Sequence, residues 1–339
     1  AGAPHPAAGD DPVAAAAALL RGGAIVAVKG IGGFHLMVDA RDDAAVRRLR
    51  ARKRRPAKPL AVMVADLDAA RALCEPSPAE AELLASPAAP IVLVARRDAP
   101  DAAAVAPSVA PGMRRLGVML AYAPLHHLLL RAAPFPLVAT SGNRSEEPIC
   151  TDEREAVARL GGVADAFLVH DRPIARPVDD GVAWVVRGAP ALLRRARGHA
   201  PLPVRLPVAA PPLLALGGHQ KSTVAVAVGR QAVVSQHVGD LDTPEAIGAF
   251  RAVTADLLRL WDVRPAAVVH DLHPAYASTA WAAGDALLPG VPRLGVQHHH
   301  AHLASCLADN GVAGRALGIV WDGSGWGAVD GVGDGTVWG

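Results

Sequence analysis

Five prolines between His199 and Pro212 constrain this chain more than any other feature of its sequence. Proline cannot donate to a sheet ladder or continue a helix, so Pro201, Pro203, Pro207, Pro211 and Pro212 predict a break in regular structure. We read residues 201–212 as an interdomain linker. It separates a first domain, residues 11–200, from a second, residues 213–339. The length of 339 residues suits two domains, and 51% hydrophobic residues are enough for each to bury a core.

The first domain has an α/β pattern. Asp11 and Pro12 make an N-cap and first-turn pair before an alanine–leucine helix, which Gly22 and Gly23 stop ahead of a buried-type strand at 24–28. A glycine-rich turn at 29–33 leads to a second strand and a helix at 44–52. Strands are expected at 60–65, 91–95, 117–120, 137–140 and 167–170, with a hairpin at 182–193 turning on Gly188. From Leu213 the pattern changes to short strands at 213–216, 223–228 and 232–235. A helix capped by Thr243 with Pro244 in its first turn follows, and three strands before a helix suggest a ribonuclease H-like half-domain. Strands at 267–270, 294–296 and 317–321 and a histidine-rich helix complete it. The stop at Gly339, inside an apparent hairpin, is read as truncation.

Charge and cysteine usage exclude several classes. With 34 basic and 32 acidic residues the net charge is +2, which does not announce a nucleic-acid or membrane partner. Cys74, Cys150 and Cys306 lie far apart without CxxC spacing, against a disulfide framework or thiolate zinc site and in favour of a reducing, cytoplasmic setting. No apolar stretch is long enough to span a bilayer, and no basic, then apolar, leader opens the chain.

Three groups of residues carry chemistry. Lys53, Arg54, Arg55 and Lys58 crowd four cations at the end of a helix, an arrangement that suits a polyphosphate and equally a solvated basic helix end. Thr140, Ser141, Gly142 and Asn143 follow a strand directly, at the carboxyl end where open α/β sheets bind ligands; an ordinary polar turn has the same composition. His298 and His302 are four apart on a helix, so one face carries both imidazoles toward one metal ion. Asp322 opens Asp-Gly-Ser-Gly-Trp-Gly, where Gly323 and Gly325 let backbone amides approach phosphate and the carboxylate can complete the metal site.

The first two groups, together with KGIGGFHL at 29–36, resemble the YrdC family of acyl-adenylate-forming proteins over roughly residues 11–200. The closer resemblance is to the HypF family of carbamoyltransferases, through RKRRPAKPLAVM, LGVMLAYAPLHHLLL, ATSGNRSEEPI, RPVDDGV and RRARGHAP in order. LLALGGHQKSTVAVA, SQHVGDLDTPEA, VVHDLHPAYAST and VQHHHAHLASCLADNG continue it over residues 213–339. The histidine pair and Asp322 resemble the metal site of transferase domains in the actin-like ATPase superfamily. Ala121 for the usual proline and His199 for a tyrosine are small departures; Gly218-His219-Gln220-Lys221-Ser222 for Gly-Glu-Leu-Lys-Asn is one that matters, since it falls in a loop the resemblance makes phosphate-facing.

The resemblance implies a YrdC-like twisted-sheet domain followed by part of an actin-like, ribonuclease H-like domain. It implies Lys53 and Arg55 as the catalytic contacts to ATP phosphates, and Lys29, Lys58, Thr140, Ser141, Asn143, Arg194, Arg197, Gly323 and Gly325 as nucleotide-binding residues. Ser141 and Asn143 would hold ATP with Mg2+, while His298, His302 and Asp322 would hold Fe2+ or Zn2+. The implied reaction forms carbamoyl-adenylate from carbamoyl phosphate and ATP, then transfers the carbamoyl group to the C-terminal cysteine of HypE during nickel–iron hydrogenase maturation. Two alternatives stand beside it: RNA binding or tRNA threonylcarbamoylation of the YrdC type, opposed by the near-zero charge, and small-molecule O-carbamoyl transfer, opposed by domain order.

Overall fold

In the computed structural model the chain divides into two units, Ala1–His199 and Ala200–Gly339. Residues 11–97, 105–144, 147–284, 287–322 and 326 are described.

The first unit opens with α1 (Pro12–Arg21), whose first turn is capped by the Asp11 carboxylate accepting from the amides of Val13 and Ala14. In chain order follow β1 (Val26–Lys29), β2 (Phe34–Asp39), α2 (Asp43–Lys53), β3 (Ala61–Val64), α3 (Leu67–Leu73), α4 (Pro78–Ala85), β4 (Ile91–Ala95) and β5 (Arg115–Leu120). They are completed by α5 (Pro124–Ala132), β6 (Leu137–Ser141), α6 (Glu153–Leu160), β7 (Ala166–Leu168), β8 (Val182–Val186) and β9 (Ala189–Arg194). The nine strands form one mixed sheet in the order β7-β1-β2-β6-β3-β5-β4-β8-β9.

Alternation along the central strands fills both faces of this sheet. Leu36, Val38, Val62, Val64 and Val118 pack into one cluster with Val46 and Leu49 of α2 and Leu73, Leu83 and Leu160 of α3, α4 and α6. Met37, Met63 and Met119, adjacent to them in sequence, pack into a second with Leu20 of α1 and Leu129 and Leu130 of α5. Burial on both faces explains why these strands read as continuous apolar runs. Fully burying one such side chain contributes about 1.5–3 kcal/mol.

Register brings the chemistry-bearing turns together. Lys29 pairs with Phe34 across β1 and β2, and His35 pairs with Ser141 across β2 and β6. The amide of Gly142 donates to the Phe34 carbonyl at 2.6 Å. A Cβ on Gly142 would lie 2.7 Å from that oxygen, so close backbone approach requires glycine there.

The second unit comprises β10 (Pro203–Leu216), β11 (Val224–Val234), α7 (Pro244–Leu260), β12 (Ala267–Asp271), α8 (Ala277–Ala283), β13 (Arg293–Val296) and α9 (His298–Asp309). Its sheet runs β11-β10-β12-β13, with β10 antiparallel to β11 and parallel to β12, and β12 parallel to β13. Phe250 and Leu257 of α7 pack against Leu214, Val226 and Val268.

Three sequence expectations are corrected here. Residues 203–212 are not a linker but the first part of β10, which pairs with β11 alone before β12 joins at Leu213. The register shifts between Arg205 and Ala210 and again between Ala210 and Leu213, so Pro207, Pro211 and Pro212 fall where the ladder is interrupted and their missing N–H groups cost nothing. The expected strands 223–228 and 232–235 are one strand, β11, running through Gly229 at φ 57°. The expected strand 317–321 does not form: Leu317, Ile319 and Trp321 are 93%, 84% and 97% exposed and have no ladder partner among the described residues, and apolar alternation without one does not make a strand.

Candidate functional site

The last turn of α2 builds the centre of the first unit's site. The helix ends at Arg54, a non-glycine residue at φ 54°, with its amide on the Ala51 carbonyl and the Arg55 amide on the Arg50 carbonyl. These are the two bonds of a Schellman closure. Lys53 is 4% exposed, and its ammonium donates to the carbonyls of Ser141 and Asn143 at 2.6 and 2.7 Å and to Asn143 Oδ1 at 2.8 Å. Ser141 Oγ donates to the same Oδ1 at 2.7 Å, and Asn143 Nδ2 donates to the Glu147 carbonyl. The two motifs thus meet directly, the cation of one clamping the turn of the other.

Electrostatically this is a site under repulsion. Burial and then the neighbouring Arg55 charge push the Lys53 ammonium down to about 7, with Lys58 adding to the effect and Asp179 opposing it. Burial, Arg50 and Arg194 push the Arg55 guanidinium down to about 10. Arg55 donates to the carbonyls of Pro59 at 2.8 Å and Lys58 at 3.4 Å. Cations gathered at the cost of their own charge state favour a polyanion beside them.

Arg50, which sequence reasoning passed over, organises this loop. It is 7% exposed and donates to the carbonyls of Arg55, Pro56, Lys58, Ser108 and Val109. Its only signal in the sequence was its place one turn before Arg54 on the helix.

Other residues expected to bind nucleotide make these contacts within the fold. Thr140 is buried within β6, opposite Leu36. The Lys29 ammonium pairs with Glu153 and donates to the His170 carbonyl. Arg197 donates to Asp180 Oδ1 at 3.0 and 3.1 Å and to the carbonyls of Ala88 and Ala89, and stacks 3.4 Å from the Tyr122 ring centroid. Asp180 also meets His35 Nε2 at 2.9 Å, and His35 and Arg197 hold its carboxyl far below the usual range despite burial.

In the second unit β13 leads through Gln297 into α9. The Gln297 side chain caps α9 by accepting from the His300 amide at 2.7 Å, making His298 its first residue. His298 Nε2 and His302 Nε2 lie 3.2 Å apart, and Asp322 Oδ2 lies 2.9 Å from the former and 3.2 Å from the latter. One ligand atom from each residue falls within 4.8 Å of the others. Two imidazoles and a carboxylate converging on one point fit a borderline divalent ion such as Fe2+ or Zn2+. On the far side of the ring His298 Nδ1 meets Asp271 Oδ2 at 2.6 Å, a contact the sequence reading did not anticipate. Gly323 and Gly325 lie outside the described residues. No described helix is long and apolar enough to cross a membrane.

Comparison with known proteins now bears on both units. The Sua5–YciO–YrdC family model, described as telomere recombination, matches residues 18–196, and the HypF Kae1-like domain model matches residues 208–309. Carbamoyltransferase HypF of Synechocystis is 50% identical over 322 residues, covering 94% of this chain and 40% of that protein. Carbamoyltransferase HypF of Rhizobium leguminosarum is 48% identical over 335 residues, 97% of this chain and 42% of the relative. A crystal structure of full-length HypF in a phosphate- and nucleotide-bound form superposes with a TM-score of 0.87 at 43% identity, covering 94% of this chain and 49% of that one. The chain thus spans less than half the length of these relatives.

Proposed function

This chain belongs to the Sua5–YciO–YrdC family, and on that premise we propose that it carries out ATP-dependent carbamoyl transfer in nickel–iron hydrogenase maturation. The observation that carries the reading is Lys53, buried and clamped on the Ser141–Asn143 turn with the charges of Arg55 and Lys58 acting on it. Its continuation into a HypF Kae1-like domain favours a carbamoyl substrate over the threonylcarbamoyl alternative.

In this reading a separate acylphosphatase supplies carbamate: water cleaves the bond between the carbamoyl group and phosphate of carbamoyl phosphate, and inorganic phosphate leaves. A carbamate oxygen attacks the α-phosphorus of ATP, a P–O bond forms, the bond to the β-phosphate breaks, and pyrophosphate leaves. Lys53 and Arg55 offset phosphate charge and hold the chain in line, a positional and electrostatic contribution. Ser141 and Asn143, whose turn Lys53 clamps, would hold the nucleotide with Mg2+, which when bound would offset phosphate charge. The thiol of HypE's C-terminal cysteine then attacks the carbamoyl carbon, and AMP leaves with the bonding pair. His298, His302 and Asp322 would hold Fe2+ or Zn2+, which when bound supplies Lewis acidity. The setting is the cytoplasm.

The test is release of AMP and pyrophosphate from ATP by this chain with carbamoyl phosphate and an added acylphosphatase. Release is expected, and a Lys53→Ala variant is expected to lose it. Turnover driven instead by threonine and bicarbonate would move the assignment to tRNA modification.

A further inference from the structure

We infer that Asp271 is a positioning residue for the histidine–carboxylate site, presenting His298 Nε2 to a divalent transition-metal ion. The inference rests on the reading of His298, His302 and Asp322 as a metal site. Asp271 ends β12 and pairs with Val296, the last residue of β13, two positions before His298. Parallel register therefore sets the carboxylate beside the first residue of α9.

The contact is 2.6 Å, from His298 Nδ1 to Asp271 Oδ2. Asp271 is itself held on every side. Its Oδ1 accepts from the His273 amide at 2.8 Å, and its carbonyl accepts from Thr279 Oγ1 at 3.0 Å. The residue is 9% exposed. A carboxylate fixed in this way accepts the Nδ1 proton, leaving the Nε2 lone pair on the side where His302 Nε2 and Asp322 Oδ2 converge. Acceptors behind a ligating imidazole fix its tautomer and ring plane and raise its basicity, and their removal weakens metal affinity about 10–100-fold. His302, at 53% side-chain exposure, has no carboxylate behind it among the described residues, so anchoring falls to His298.

The experiment titrates the 339-residue chain with Zn2+ against a chromophoric chelator, comparing wild type, Asp271→Asn and His302→Ala. Asparagine keeps the size of the residue and its oxygen toward the His273 amide but removes the charge. The expected result is a dissociation constant raised about 10–100-fold by Asp271→Asn, with the metal-free unfolding midpoint unchanged. Equal affinity in wild type and Asp271→Asn overturns the role of Asp271 and leaves the metal site standing. Failure of wild type to bind Zn2+, or equal binding by wild type and His302→Ala, overturns the metal reading itself. Should Asp271→Asn not fold, the zinc-loaded wild type decides by NMR. A slowly exchanging, far-downfield Nδ1 proton on His298 supports the inference, and one exchanging at the solvent rate refutes it.

Discussion

Nucleotide binding should weaken steeply with rising pH, because Lys53 must be charged to meet a phosphate while burial and Arg55 hold its pKa at about 7. A polyanion beside the ammonium reverses the burial and repulsion that lower it, restoring a value near the ordinary 10.4 or above. Binding then takes up a proton wherever the free side chain has lost one. The sign follows: affinity is full below pH 7 and falls as pH rises above it, approaching tenfold per unit. Between pH 7.5 and 9, where ATP's own phosphates no longer titrate, the loss should be about 25-fold, roughly 2 kcal/mol. Isothermal titration of Mg-ATP in two buffers of different ionisation enthalpy reads both quantities, with uptake of close to one proton expected at pH 8.5. Lys53→Met should bind weakly and without the slope. A flat dissociation constant with no proton uptake in wild type would refute the argument.

Arg197→Ala should destabilise the first unit by about 3–5 kcal/mol, since it leaves the buried Asp180 carboxylate without its guanidinium, and denaturant unfolding would show the loss in protein without nucleotide. Gly142→Ala should cost about 1–3 kcal/mol, because its Cβ would meet the Phe34 backbone rather than a yielding side-chain tip. Thermal unfolding measures it, and an unchanged midpoint would show that β2 and β6 separate more easily than their register implies.

Much of this architecture was legible because local signals agreed with tertiary context. Asp11 and Thr243 cap their helices as their neighbours suggested, and the apolar strand runs of the first unit lie in a sheet buried on both faces. The segment around Pro203 was misread for a physical reason: proline forbids a ladder bond at one position, whereas β10 places its prolines at register shifts. The apolar alternation at Leu317 to Trp321 has no partner among the described residues that would make it a strand. At the sites, Lys53, Ser141 and Asn143 come together, as do His298, His302 and Asp322. Arg50, Asp180 and Asp271 were invisible as contributors because their roles consist of contacts with distant backbone and side chains that spacing does not encode.

The central claim is that this chain adenylates a carbamoyl substrate, and the most direct measurement is exchange of labelled pyrophosphate into ATP with carbamoyl phosphate and an added acylphosphatase. The account predicts exchange that depends on carbamoyl phosphate and disappears in Lys53→Ala. A folded protein that shows none, or exchanges only with threonine and bicarbonate, would contradict it.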